Sequence, residues 1–123
     1  MNKKTRPPTP RRGEIWLVNF DPTVGAEIRK TRPALILQND IANRYSPVTI
    51  VAAITAQWKE PLYPTEVFLE HTEAGLPKDS IVLLNQIRTI DTQRLIERYG
   101  TIKHATMEHV TRALMASLGM GVV

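Results

Sequence analysis

The stretch that most restricts what this chain can become is VTIVAAIT, residues 48–55. Six of its eight residues are β-branched, and such side chains pack well on a pleated surface while crowding a helical turn. The run therefore reads as a buried strand, and a buried strand needs partners on both sides. Candidates flank it. GEIWLVNF (13–20) alternates Ile15 and Leu17 against Trp16 and Val18 with both faces apolar, which predicts a strand buried on both sides. Asp21-Pro22 breaks that strand, because proline has no ladder donor. ALILQ (34–38) follows Pro33, whose fixed φ and missing N–H suit the start of a strand. TEVFLE (65–70) sets Val67 and Leu69 against Glu66, Phe68 and Glu70. SIVLL (80–84) is a further buried strand, with QIRTI (86–90) its continuation or a bent second one.

Between these runs, NDIANRYSP (39–47) reads as a polar turn with room for one helical turn. QWKEPLYP (57–64) is a long loop punctuated by Pro61 and Pro64, and HTEAGLPKD is a turn region. Only the end is clearly helical. From Thr106, apolar residues recur at Met107, Val110, Leu114 and Leu118, one stripe of a helix, and Gly119 supplies its stop. Five or six short strands and one terminal helix predict an α+β domain, mainly β: a small, strongly bent antiparallel sheet or barrel with the helix packed on it.

Charge is distributed unevenly. The chain carries a formal +4, but Lys3, Lys4, Arg6, Arg11 and Arg12 place five of its sixteen cations in the first twelve residues, which hold no carboxylate. The remaining eleven Lys and Arg face twelve Asp and Glu, so residues 13–123 carry −1. Residues 1–12, with three prolines, are expected to be a disordered basic arm, and 13–123 a single domain. A high pI that comes from an arm is no argument for nucleic-acid binding by the domain. The N-terminal MNKKTRPPTP has no apolar signal core, and no stretch approaches the ~20 apolar residues of a membrane span. The expectation is a cytoplasmic protein.

The chemistry available is narrow. There is no cysteine, and His71, His104 and His109 show no metal-ligand spacing. Asp21, Asp79 and Asp91 stand alone near turns, where Asp commonly serves the backbone. Phosphate-binding and nucleophile-elbow motifs are absent. No metal or cofactor is expected. The densest cationic cluster outside the arm is DPTVGAEIRKTRP (21–33), where Arg29, Lys30 and Arg32 stand beside Glu27 in a long link between two strands. Arginine offers a planar fork of donors matched to phosphate oxygens, and a glutamate can take a proton from a nucleophile within reach. A solvated charged loop would have the same composition.

RGEIWLVNFDPTVGAEIRKTRPALILQND (12–40), NRYSPVTIVAAITAQ (43–57) and SIVLLNQIRTID (80–91) resemble, in this order, the MazF/PemK family of toxin endoribonucleases. The resemblance implies an SH3-like barrel working as a homodimer, held inactive by a cognate antitoxin with a disordered acidic tail. It implies metal-independent, sequence-specific cleavage of single-stranded RNA, in which the 2′-OH attacks the adjacent phosphorus to leave 2′,3′-cyclic phosphate and 5′-OH ends. Carried onto this sequence, the family's catalytic arginine falls on Arg32, its threonine on Thr55 and its carboxylate on Glu27. Gln86, in NQIRTID, falls where the family holds RNA; Arg88 of the same stretch is expected to bind RNA too, and Arg29 and Lys30 would draw in the backbone. Two positions depart from the pattern: Ala26 stands where many relatives carry Ser or His, and Asn85 where some carry an acid.

Arg32 would matter most by stabilising charge on the non-bridging oxygens of the pentacoordinate phosphorus. The Thr55 hydroxyl could donate to the same oxygens, or merely satisfy the backbone at a strand end. Glu27 could accept the 2′-OH proton; the acid that serves the 5′-oxygen stays open between Arg32 and a water that it orders. Tyr45, Trp58 and Tyr63 could stack bases or serve packing. Two other readings remain: a toxin of the same fold that poisons DNA gyrase without catalysis, and a binding module with a degenerate site. SLGMGVV lacks the C-terminal aromatic that the gyrase poisons present.

Overall fold

The structure, a computed structural model, describes residues 8–22, 24–27 and 30–121. Six strands form one antiparallel sheet: β1 (Glu14–Asn19), β2 (Thr31–Ile36), β3 (Val48–Thr55), β4 (Glu66–Leu69), β5 (Ser80–Asp91) and β6 (Leu95–Thr101). Their order across the sheet is β4-β5-β3-β2-β1-β6. Three helices complete the chain, α1 (Asp40–Tyr45), α2 (His71–Ala74) and α3 (His104–Leu118), with a 3₁₀ turn at Thr92–Arg94.

VTIVAAIT forms β3 over its whole length, with β2 on one side and β5 on the other. Both faces of the sheet carry a core, as the doubly apolar pattern of β1 predicts. On one, Ile15, Leu35, Ala52, Ile54, Val67, Leu69 and Val82 pack under α3, which contributes Val110 and Ala113, with Met107 and Leu114 partly buried beside them. On the other, Trp16, Val18, Phe20, Ala34, Ile36, Val51, Ala53, Ile90 and Leu95 form a second cluster. Leu118, the last residue of the predicted helical stripe, is exposed.

Several boundaries differ from expectation, each for a physical reason. β2 begins at Thr31 and so includes Arg32 and Pro33. Proline is tolerated there because the β2–β3 ladder starts one residue later, at Ala34–Ala53, and asks Pro33 for no donor. Residues 80–91 are one strand with an irregularity: Leu83 faces Ala53 and Ile87 faces Ala52, leaving residues 84–86 between them. Two short helices occupy stretches read as turns, α1 capped by the Asn39 side chain and α2 ended by Gly75 at φ 75°. α3 starts two residues before Thr106. β6 has no counterpart in the sequence reading. Its residues Ile96, Glu97 and Arg98 are all exposed, so no alternation marks it, and two register shifts bend it along β1.

The expected basic arm lies mostly outside the described residues. Within 8–12, Pro10 is buried, the Arg11 N–H donates to Glu14 Oε1 (2.9 Å) and the Arg12 N–H to Asp40 Oδ1 (2.7 Å). That last bond, helped by the Asn43 amide and the nearby arginines, holds the Asp40 carboxyl below the usual carboxylate range.

α2 rests on β6 with no room to spare. A Cβ on Gly100 would stand 2.9 Å from the Ala74 carbonyl oxygen and 3.2 Å from two further Ala74 backbone atoms. Gly100→Ala should therefore cost about 1–3 kcal/mol, measured as a lowered urea midpoint; an unchanged midpoint would mean that α2 shifts freely on the sheet.

Candidate active site

The register of the central strands decides which residues meet. Arg32, second in β2, pairs with Val18 of β1, a member of the second cluster, so its side chain belongs to that face. Thr55, last in β3, stands two residues beyond Ala53, and Arg88 of β5 pairs with Val51. Ala53 and Val51 are also members of that cluster. Arg32, Thr55 and Arg88 thus share one face, with Arg32 and Thr55 at the same end of neighbouring strands.

Thr55 Oγ1 accepts the Gln57 N–H at 3.1 Å. The backbone therefore uses this hydroxyl as an acceptor and turns it into an oriented donor, whose proton bonds to no described residue. Arg32 is half-buried and engaged with its surroundings.

The loop before β2 is closed at its base. The Phe20 N–H donates to the Lys30 carbonyl and the Lys30 N–H to Asp21 Oδ1, both at 2.9 Å. Lys30 itself is exposed, at φ 68°. Two arginines hold the same base from below. Arg88 Nη1 donates to the Phe20 carbonyl (2.8 Å), with its guanidinium 5.4 Å from the centre of the Phe20 ring. Arg94 Nη1 donates to the carbonyls of Asn19 (2.9 Å) and Asp21. Within the loop, Glu27 Oε1 accepts the Val24 N–H (2.7 Å), and the Glu27 N–H donates to the Val24 carbonyl (3.2 Å). Glu27 thus shapes its own turn while its carboxylate stays exposed. Arg29 lies outside the described residues. Gln86 is half-buried, bonded to its surroundings, and sits in the irregular part of β5.

Two clefts open at this end of the sheet. One, of about 260 Å³, opens on the face of the first cluster, opposite the side to which Arg32 belongs, and is lined by Leu17, Pro33, Ile54, Leu76, Tyr99 and Lys78, with Arg32 among its walls. The other, of about 400 Å³, begins at Thr55 and is lined by Trp58, Lys59, Glu60, Tyr63 and Glu66 over Ile81 and Leu83. Trp58 is a fixed wall: its indole N–H donates to the Asp79 carbonyl (3.1 Å) and its ring meets Phe68 edge-on at 5.5 Å. Tyr63 is 71% exposed. Tyr45 is exposed too, with Arg44 above its ring, but it precedes β3 and so lies at the far end of that strand from Thr55.

The isolated aspartates serve the backbone, as expected. Asp21 accepts from Lys30, Asp91 from the Gln93 N–H (2.8 Å) and Asp79 from the His71 N–H (2.9 Å). Asp79 also meets His71 Nδ1 at 2.7 Å, and these two bonds from His71 hold its carboxyl below the usual range. The three histidines are exposed, and among the described residues no three of His, Asp or Glu converge as metal ligands.

Lys78 and Arg94 went unnoticed in the sequence. Lys78 sits in a turn with no periodicity, and Arg94 acts on a carbonyl 75 residues away, a contact that leaves no local trace.

A curled antiparallel sheet with one C-terminal helix, carrying an arginine and a threonine at adjacent strand ends beside a tethered loop, defines a small α+β toxin fold. The chain belongs to the PemK-like, MazF-like toxins of type II toxin-antitoxin systems, whose family profile matches residues 11–118. It is 44% identical over 110 residues to Endoribonuclease EndoA of Bacillus subtilis, covering 89% of this chain and 95% of that protein. Among solved structures it is similar to MazF of Deinococcus radiodurans, with a TM-score of 0.77 at 29% identity over 91% of this chain and 98% of that one. A MazE–MazF structure from the same organism matches with a TM-score of 0.71 at 28% identity, over 92% and 99% of the two chains.

Because Arg88 holds the loop with a charged hydrogen bond and a ring contact, Arg88→Ala should destabilise the fold by about 1.5–3 kcal/mol. Urea unfolding checks this; a cost below about 0.5 kcal/mol would mean that Arg88 does not hold the loop.

Proposed function

We propose that the protein is a metal-independent endoribonuclease toxin that cleaves single-stranded RNA by attack of a 2′-OH on the adjacent phosphorus. The O2′–P bond forms, the P–O5′ bond breaks, and the products carry 2′,3′-cyclic phosphate and 5′-OH ends. The observation that carries this reading is the Thr55 hydroxyl, which accepts from Gln57 and keeps its proton to give, on the same face as Arg32. The name of the Bacillus relative supports it.

In this reading Arg32 stabilises the charge that builds on the non-bridging oxygens, and Thr55 donates to one of them. Glu27 takes the 2′-OH proton, and the 5′-oxygen receives one from Arg32 or from a water that it orders. Lys30 and Arg29 draw in the backbone, while Gln86 and Arg88 hold the strand beyond the scissile phosphate. Arg88 does so with the guanidinium donors that Phe20 leaves over. Ala26 contributes no proton-transferring group, which leaves the general-base role to Glu27.

The protein acts in the cytoplasm as a homodimer, its single domain spanning residues 13–123 after a basic segment, 1–12. Its cognate antitoxin blocks the cationic site with a disordered acidic tail. No helix among the described residues is long and apolar enough to cross a membrane.

Purified protein incubated with mixed-sequence RNA in EDTA should release cyclic-phosphate ends. Arg32→Ala should lower the rate by about 10²–10³-fold, the loss usual for one transition-state donor. Intact RNA, or an Arg32→Ala variant as active as the native protein, would overturn the reading.

A further inference from the structure

The cleft that starts at Thr55 lies on the face that Arg32 shares, because Ile81 and Leu83 in its floor pair with Thr55 and Ala53. Among the described residues it holds Glu60 and Glu66 against one cation, Lys59. Phosphates are drawn to Arg32 beside Thr55 and repelled from the carboxylates beyond it. When a phosphate lies at Thr55, the part of the strand left to enter the carboxylate-lined cleft is a base.

From the geometry we infer that this cleft is a base-reading pocket whose Glu66 and Glu60 select a nucleobase bearing an exocyclic amino group. This rests on the ribonuclease reading and adds its sequence preference. A carboxylate only accepts hydrogen bonds. It suits the amino groups of adenine, cytosine or guanine, and it opposes the carbonyls on the Watson–Crick edge of uracil, leaving them unpaired.

The walls fit that role. Glu66 pairs with Leu83 across β4 and β5, on a strand rather than a mobile loop. Its Oε1 accepts the Tyr63 N–H at 2.9 Å, which orients the carboxylate and positions Tyr63. Trp58 is locked by its bond to Asp79 and its contact with Phe68. Tyr63, 71% exposed, offers a stacking face. At about 400 Å³ the cleft is of the size that holds small ligands.

Glu66 could instead serve only as the cap of the turn at Tyr63. Glu66→Gln separates the two roles, because an amide oxygen still accepts the Tyr63 N–H while the amide nitrogen adds a donor. The test is sequencing of the ends released from a randomised RNA by the native protein, by Glu66→Gln and by Glu60→Gln. The native protein should prefer amino-bearing bases over uracil at one position beside the cut. Glu66→Gln should shrink that preference by about tenfold, within the range for one base-edge contact, at an unchanged urea midpoint. A native protein that favours or accepts uracil at every position near the cut, or the native pattern retained in both variants, would overturn the inference and leave the ribonuclease reading standing. No cyclic-phosphate ends from the native protein would overturn both.

Discussion

The candidate site depends on one constraint, the register of β2 between β1 and β3. Val18 opposite Arg32 and Ala53 opposite Ala34 put the Arg32 guanidinium and the Thr55 hydroxyl on one face. A slip of one residue would turn Arg32 to the face of Leu17 and Ile54. Because both faces of these strands are apolar, hydrophobic alternation alone does not choose between the two. Polar residues confined to the strand ends favour the observed register: there Arg32 remains half-exposed and Thr55 reaches the Gln57 N–H.

The loop over this strand end is held by atoms far from it in sequence. Arg88 and Arg94 spend charged donors on the carbonyls of Asn19, Phe20 and Asp21, while Asp21 and Phe20 tie the loop's far end at Lys30. Catalytic sites gain from such a division, in which a fixed base positions a tip that keeps its charges exposed. Glu27 shows it on a small scale. One oxygen shapes the turn with Val24, and the exposed carboxylate can still meet a proton donor.

Much of this was legible in the sequence because the strongest signals are local. β-Branched density marked β3, double-sided apolarity marked β1, and an apolar stripe marked α3. The aspartates near turns were correctly read as backbone acceptors. β6 was illegible because three consecutive residues are exposed and two bulges erase its alternation. Arg32 was read as part of a loop because the proline after it signals a break, whereas the ladder simply starts one residue later. The base of the loop could not be read at all, since Arg88 and Arg94 find its carbonyls across more than sixty residues. The roles proposed for Arg32, Thr55 and Gln86 rest on family motifs, since composition leaves them open.

The central claim is that the RNA's own hydroxyl is the nucleophile, with Arg32 and Thr55 answering the charge it creates. Replacing the single nucleotide on the 5′ side of a mapped cut by its 2′-deoxy analogue tests this most directly. The account predicts that the deoxy strand still binds, within about threefold of the all-ribose strand because the phosphate contacts that dominate affinity are kept, and that it is not cut at that position. Cleavage of the deoxy strand at the same bond would require an external nucleophile and would contradict the account.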